Sequence, residues 1–260
     1  MNTTWVSLAL LGLFFITLLV NALGARGFFN GKGQAEVSAN YQSYITPNNF
    51  AFSIWGVIYS LLLVTLIYLF LQRTDPAVAT VIDSVSGLFV IASILNMAWI
   101  VSFSYEKMGI STIFIFGMML SLMTIIERLY ALSPSFVRSL TSLSFSLYAS
   151  WVLIATFINF ATFFIQKEWN RFGLSDSFWT IVILLLTILF ASSYVFIYQN
   201  AVFPIALAWA FYGILDAYRK GKVEPSQKES IQKVLRAGIV IFSLFIVFTF
   251  VRNGWMILPN

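Results

Sequence analysis

Aromatic side chains recur at helical spacing in the stretch YITPNNFAFSIWGVIYSLLL, residues 44–63. Phe52, Trp55 and Tyr59 stand at positions i, i+3 and i+7, so they share one side of an α-helix. Large rings on one helix face can stack against a flat or apolar molecule, so they indicate a binding site rather than a catalytic site. We therefore predict that this face forms one wall of a binding cavity.

Two later stretches combine aromatic side chains with amides. LNMAWIVSF places Asn96 three residues before Trp99, and YASWVLIATFIN carries Tyr148, Trp151 and Asn159 along one helical stripe. An amide in hydrocarbon is costly unless it is hydrogen-bonded, so both Asn side chains should face the interior of a bundle. They are equally typical of hydrogen bonds between helices and of contacts to a ligand.

Catalytic and metal-binding side chains are scarce. The chain has no Cys and no His, which removes thiolate nucleophiles, the usual neutral-pH base and the commonest metal ligands. Asp83, Glu127 and Asp216 lie near the ends of apolar segments, where solvation alone accounts for them. We expect neither a metal nor a resident cofactor, and no enzymatic activity follows from the residues.

The elements that must position these residues are membrane helices. The chain is 60% apolar and only 10% charged over 260 residues, unlike a soluble domain. A segment of about 20 apolar residues crosses roughly 30 Å of hydrocarbon. The sequence predicts an all-α, polytopic bundle with spans near residues 5–23, 49–71, 81–103, 109–126, 135–166, 178–198, 204–217 and 234–251.

The count of eight spans depends on a turn at Gln199 and Asn200, which we favour because Pro204 suits the first turn of a new helix. Without that turn, spans six and seven would merge and the count would fall to seven. The long first loop, rich in Gly, is expected to be irregular.

Basic residues orient this arrangement, because they accumulate on the cytoplasmic side. Four of the 15 Lys and Arg residues fall on one face: Arg73, Arg128, Arg138 and Arg252. The other face carries the remainder: Arg26, Lys32, Lys107, Lys167, Arg171, Arg219, Lys220, Lys222, Lys228, Lys233 and Arg236. Both termini should therefore lie outside the cell, with the loop around Tyr44 in the cytoplasm. The expected partners are the lipid bilayer and a small molecule, with no nucleic acid.

Depth brings three helices to one level. At 1.5 Å per residue, Trp55, Asn96 and Asn159 each lie roughly 10–12 Å in from loops on the same face. Trp residues at span ends are instead expected to anchor the protein at the membrane interface: Trp5, Trp169, Trp179 and Trp255.

The phrases TPNNFAFSIWGVIY, LNMAWIVSF and YASWVLIATFIN resemble the signature helices of the tryptophan-rich sensory protein or translocator protein family (TspO/MBR). Their order and spacing are similar to the family's five-helix unit over residues 1–166. Residues 167–260 would add three helices, which could form a partner surface, a lid over the side of the cavity, or half of a transport path.

The resemblance implies a five-helix bundle, often a homodimer, whose cavity under the first loop binds porphyrins or other flat hydrophobic ligands, and sterols in some members. Light-dependent breakdown of porphyrin is a further activity in that family. The matching positions are Trp55, Asn96, Trp99, Trp151 and Asn159. The loop over the pocket would be Pro47, Asn48, Asn49 and Phe50, where the family typically has paired prolines followed by Trp. Backbone donors near Asn48 and Asn49 would meet ligand carboxylates.

These observations favour a receptor-like or sensor-like protein, most typical of a bacterial cell membrane, that binds a porphyrin-like or sterol-like molecule between helices. A membrane transporter of an amphipathic solute and a structural or regulatory subunit without ligand are the alternatives.

Overall fold

The computed structural model describes residues 3–220 and 228–259, and helices are the only regular secondary structure in this part of the chain. Part of the basic loop, including Lys222, lies outside the described residues. The nine α-helices of the described part are α1 (Thr3–Ala25), α2 (Gln34–Asn40), α3 (Ile54–Leu71), α4 (Pro76–Ser104), α5 (Met108–Tyr130), α6 (Phe136–Gln166), α7 (Asp176–Tyr198), α8 (Phe203–Arg219) and α9 (Lys228–Arg252).

Seven of these helices are long and apolar enough to cross a membrane, which confirms the polytopic helical bundle. The remaining predicted span, α8, has 17 residues. At 1.5 Å per residue it is about 25 Å long, which is the lower limit for crossing the hydrocarbon core. The orientation of the termini stays a prediction.

The turn between α7 and α8 is present, so spans six and seven are separate helices. Gln199 adopts a left-handed conformation with φ of 47°, which ends α7. The buried Asn200 side chain then accepts hydrogen bonds from the backbone N–H groups of Val202 and Phe203 at 3.1 and 3.0 Å. It also donates to Ser146 Oγ of α6 at 2.7 Å, which fixes the turn against the bundle.

Several helix boundaries differ from the sequence prediction, because helices continue past charged residues once they leave the hydrocarbon core. α4 begins at Pro76, after the Asp75 side chain accepts hydrogen bonds from the N–H groups of Ala77 and Val78. The helix continues through Asp83, which is exposed. α9 likewise begins at Lys228, six residues before the predicted span.

The first loop also differs from the prediction of irregular backbone. It contains the seven-residue helix α2 and, after Pro47, a 3-10 turn over Asn49–Ser53 that leads into α3. Phe52 therefore lies in the 3-10 turn rather than on the face of α3. The amino acids of α2 are too few to show a clear apolar period, which is why the helix was missed.

α8 packs against α6, α7 and α9, and also against the 3-10 turn. Eleven of its 17 residues are buried. α9 approaches α8 closely at Gly238, where an added Cβ would lie 2.5 Å from the Phe211 ring. α8 thus connects α7 and α9 to the part of the bundle that holds the aromatic and amide residues.

Candidate functional site

The predicted aromatic residues of α3, α4 and α6 lie together in one cluster. Trp55 stacks on Tyr59 with ring centroids 5.2 Å apart, and it also contacts Trp99 at 6.4 Å. Its ring meets the edges of Tyr148 at 5.8 Å and Trp151 at 6.3 Å. These rings pack against one another, so the cluster is a set of touching aromatic surfaces.

Asn96 forms one of two amide networks in the cluster. Its Oδ1 accepts a hydrogen bond from Asn21 Nδ2 of α1 at 2.6 Å, and its Nδ2 donates to the Tyr148 hydroxyl at 3.1 Å. The Tyr59 hydroxyl donates to Asn21 Oδ1 at 3.1 Å. Because Asn96 is fully buried, these bonds satisfy an amide that water cannot reach.

Asn159 forms the second amide network. Its Oδ1 accepts from Trp99 Nε1 at 3.0 Å. Its Nδ2 donates to Ser111 Oγ and Thr112 Oγ1 of α5, both at 3.0 Å. Both amides thus join helices, which is one of the two roles left open by the sequence.

Trp151 differs from the other polar members of the cluster. Its side chain is 1% exposed, and its Nε1–H has no hydrogen-bond partner among the described residues. The Trp151 ring contacts Phe52, with centroids 6.1 Å apart. Phe52 is 40% exposed, so this edge of the cluster is the one that leads out of the bundle.

A small cavity lies at this edge, between α2, the first loop and α8. Its volume is about 40 Å³, enough for a few water molecules. Its lining is mostly small or polar and consists of Ala35, Ser38, Ala39, Gln42, Ser43, Thr46, Pro47, Asn49, Phe52 and Ala217. A larger molecule would fit only after one of these walls moves.

Of the four residues predicted to cover the pocket, two face the cavity and two contact α8. Pro47 and Asn49 line the cavity. Phe50 instead packs on Trp209 and Tyr212 of α8, with centroids 5.4 and 5.7 Å away.

Asn48 also turns to α8. Its backbone N–H donates to the Gly213 carbonyl at 3.0 Å, and its Nδ2 donates to the Asp216 carboxylate. The N–H of Asn49 donates to Asn48 Oδ1 at 2.8 Å. The predicted backbone donors for a ligand carboxylate are therefore already occupied. Asp216 also pairs with Lys220 at 2.9 Å, so the prediction that it is merely solvated was wrong.

The opposite edge of the first loop is held by Glu106, in the turn between α4 and α5. Lys32 Nζ lies 2.8 Å from Glu106 Oε1, and the Tyr41 hydroxyl donates to Oε2 at 2.8 Å. The hydrogen bond from Lys32, followed by that from Tyr41, lowers the pKa of the Glu106 carboxyl. The same carboxylate raises the pKa of Lys32.

Sequence reasoning missed several members of the site. Asn21 lies in an apolar run. Like Asn96, it is an amide within a membrane span and is expected to face the bundle interior, so the sequence contained a signal for it. Ser111 and Thr112 gave no signal, because such hydroxyls usually bond to their own helix, as Thr112 does to the Met108 carbonyl. The role of α8 depends on contacts distant in sequence, which spacing alone does not reveal.

The anchors predicted at the membrane interface differ in exposure. Trp5 and Trp255 are 71% and 76% exposed. Trp169, which follows α6, and Trp179, near the start of α7, are partly buried, and their ring centroids are 5.1 Å apart.

Within the described residues, seven apolar helices of membrane-crossing length, with Asn96 and Asn159 hydrogen-bonded between helices, define an integral membrane protein of the polytopic helical class.

The chain belongs to the TSPO-like protein family, whose model matches residues 7–250. The resemblance seen in the sequence is thereby confirmed, and the matched stretch continues beyond residue 166 through α7 and α8 into α9. No curated protein and no solved structure matches the chain.

Proposed function

We propose that this membrane protein binds a flat, hydrophobic small molecule, porphyrin-like or sterol-like, against the aromatic cluster at the Phe52 and Trp151 edge. The observation that carries the proposal is the buried Trp151 N–H, which has no hydrogen-bond partner in the described part of the chain. A buried donor without a partner costs about 1–3 kcal/mol. A ligand carbonyl, carboxylate or hydroxyl oxygen would remove that cost on binding.

Ring chemistry supports a flat ligand. The exposed Phe52 ring lines the cavity, and the partly buried Trp55 ring contacts Trp151, which Phe52 also contacts. Stacking on such rings contributes beyond simple burial, by about 0.5–1.5 kcal/mol per pair. A bound porphyrin could not form an iron–His bond, because the chain has no His. Its affinity would rest on burial, stacking and the Trp151 hydrogen bond.

Titration of the purified protein with protoporphyrin, followed by Trp fluorescence, tests the proposal. We expect saturable quenching in the wild type, and a midpoint about tenfold higher in Trp55→Leu, equivalent to about 1.4 kcal/mol of lost stacking. Trp5→Leu is the matched control, because Trp5 is exposed on α1 and outside the cluster. Equal midpoints in wild type and Trp55→Leu would remove the proposed site.

The same preparations separate binding from transport. In proteoliposomes, a binding protein should retain protoporphyrin without moving it across the bilayer. Protoporphyrin flux in the wild type that disappears in Trp55→Leu, but persists in Trp5→Leu, would instead indicate a transporter.

A further inference from the structure

The strap, defined as residues 44–53 between α2 and α3, lies over the aromatic cluster and is attached to α8. The attached residues are spread along the strap. The Tyr44 carbonyl accepts from the Tyr218 hydroxyl at 3.0 Å, and the Ala51 carbonyl accepts from Trp209 Nε1 at 2.9 Å. Asn48 bonds to α8 between these two points.

These attachments come from one face of α8. Trp209, Gly213 and Asp216 stand at positions i, i+4 and i+7, so they lie on the same side of the helix. At Gly213 the backbones of α8 and the strap are joined directly, by the hydrogen bond from the Asn48 N–H. A Cβ added there would lie 2.6 Å from the Ala51 Cβ and 3.2 Å from the Pro47 Cβ. The strap therefore depends on the absence of a side chain at residue 213.

The strap also forms a wall of the cavity, through Thr46, Pro47, Asn49 and Phe52. The cavity of about 40 Å³ is too small for a ring system. The helices that carry the aromatic cluster are joined by the Asn96 and Asn159 networks, and residues 44–53 take no part in those hydrogen bonds. The strap can therefore move away from α8 without breaking these networks.

We propose that Trp209, Gly213 and Asp216 are positioning residues that hold the strap closed, so that release of the strap from α8 sets the rate at which a ligand reaches Trp55 and Trp151. This inference rests on the proposed function. These three residues thereby act on the binding site by positioning the strap rather than by touching the ligand. The space that α8 leaves under the strap limits which molecules are accepted.

Gly213→Ala tests the proposal directly, because the new methyl group must push the strap away. In lipid nanodiscs, we expect hydrogen exchange at the Asn48 amide to increase about tenfold, and the association rate of protoporphyrin to rise by a similar factor. The double variant Ala51→Gly/Gly213→Ala removes the colliding methyl and should return both rates toward the wild type. Gly87→Ala is the control, since nothing lies within 4 Å of a Cβ there.

Asp216→Asn gives a second, gentler test that keeps the size of the side chain. It weakens the hydrogen bond from Asn48 and the ion pair with Lys220, so both rates should rise by a smaller factor than in Gly213→Ala.

Three results would overturn the inference. Unchanged exchange at Asn48 in both variants would mean that α8 does not hold the strap. Faster exchange with an unchanged association rate would leave the proposed function intact but reject the gating role. Faster exchange with no protoporphyrin binding in any variant or in the wild type would reject the proposed function and the gating role together.

Discussion

The two sides of the aromatic cluster use the same kinds of residue in different ways. On the amide side, Asn96 and Asn159 are buried and all their strong partners lie in neighbouring helices. On the indole side, Trp151 is equally buried, yet its N–H has no partner in the described part of the chain. The hydrogen bonds of the amide side are all made without a ligand, whereas the Trp151 N–H on the indole side has no acceptor in the described part of the chain.

The hydrogen-bonding state of a buried polar group thus separates structural residues from candidate binding residues. An amide that is hydrogen-bonded to another helix inside a membrane has a structural role and needs no ligand to explain it, because every polar group there needs a protein partner. Several buried side-chain polar atoms lack a partner among the described residues, and the Trp151 N–H is the one that lies in the aromatic cluster. The comparison therefore predicts that changes on the amide side reduce stability, and that changes on the indole side reduce ligand affinity.

The largest effect is expected for Asn159→Leu. It leaves the Trp99 indole and the side chains of Ser111 and Thr112 without their shared partner, at a cost of about 1–3 kcal/mol in the free energy of unfolding. Unfolding in mixed detergent micelles measures this change. Asn40→Leu, at an exposed position at the end of α2, is the matched control and should change little. Equal losses in the two variants would remove the distinction between the sides.

A second, smaller effect is expected for Trp151→Phe. Removal of the unpaired N–H offsets the packing lost with the larger ring, so the free energy of unfolding should stay within about 1 kcal/mol of the wild type. The affinity for protoporphyrin should fall about tenfold, because a hydrogen bond to the ligand is lost. Stability that falls as far as in Asn159→Leu would show that the indole is structural as well.

The smallest effect concerns pH and the Glu106 contacts that hold the other edge of the first loop. The Glu106 pKa is lowered in the fold, so its contribution is present above its unfolded pKa and is lost as pH falls through the folded value. The Lys32 pKa is raised, so its contribution is lost only as pH rises through a value above the ordinary one. The contact is therefore intact near neutral pH.

Hydrogen exchange over residues 34–41, corrected for the intrinsic pH dependence, checks this expectation. The wild type should lose protection as the solution is acidified below the usual carboxyl range, by a small amount because the pair is partly exposed. Glu106→Gln should be less protected at neutral pH and should show no further acid-dependent loss. A matching acid response in the variant would assign the effect to another group.

Much of the bundle followed from the sequence, because an apolar run of about 20 residues is far more typical of a membrane-crossing helix than of a helix in a soluble domain. The stripes of Trp55, Asn96 and Asn159 were also brought to one place by helical spacing and depth. The N-terminal ends of α4 and α9 were not predicted correctly, since helices continue past charged residues such as Asp83 once they reach water.

The part of the site that could not be predicted depends on α8. Its contacts with Asn48 and Ala51 join residues more than 150 positions apart. No local pattern indicates such a pairing. The size of Gly213 matters only because another backbone happens to pass beside it, which the sequence around residue 213 does not reveal.

α8 is enclosed by protein on most of its surface, whereas α9 buries a single stripe formed by Ile231, Leu235, Gly238, Phe242 and Thr249. Lipid accepts almost any apolar side chain, but a protein neighbour accepts only a particular shape. As orthologous sequences accumulate, substitutions should therefore concentrate on the outward positions of α9. The sequence of α8 should change more slowly, and position 213 should remain glycine wherever position 51 keeps a methyl group.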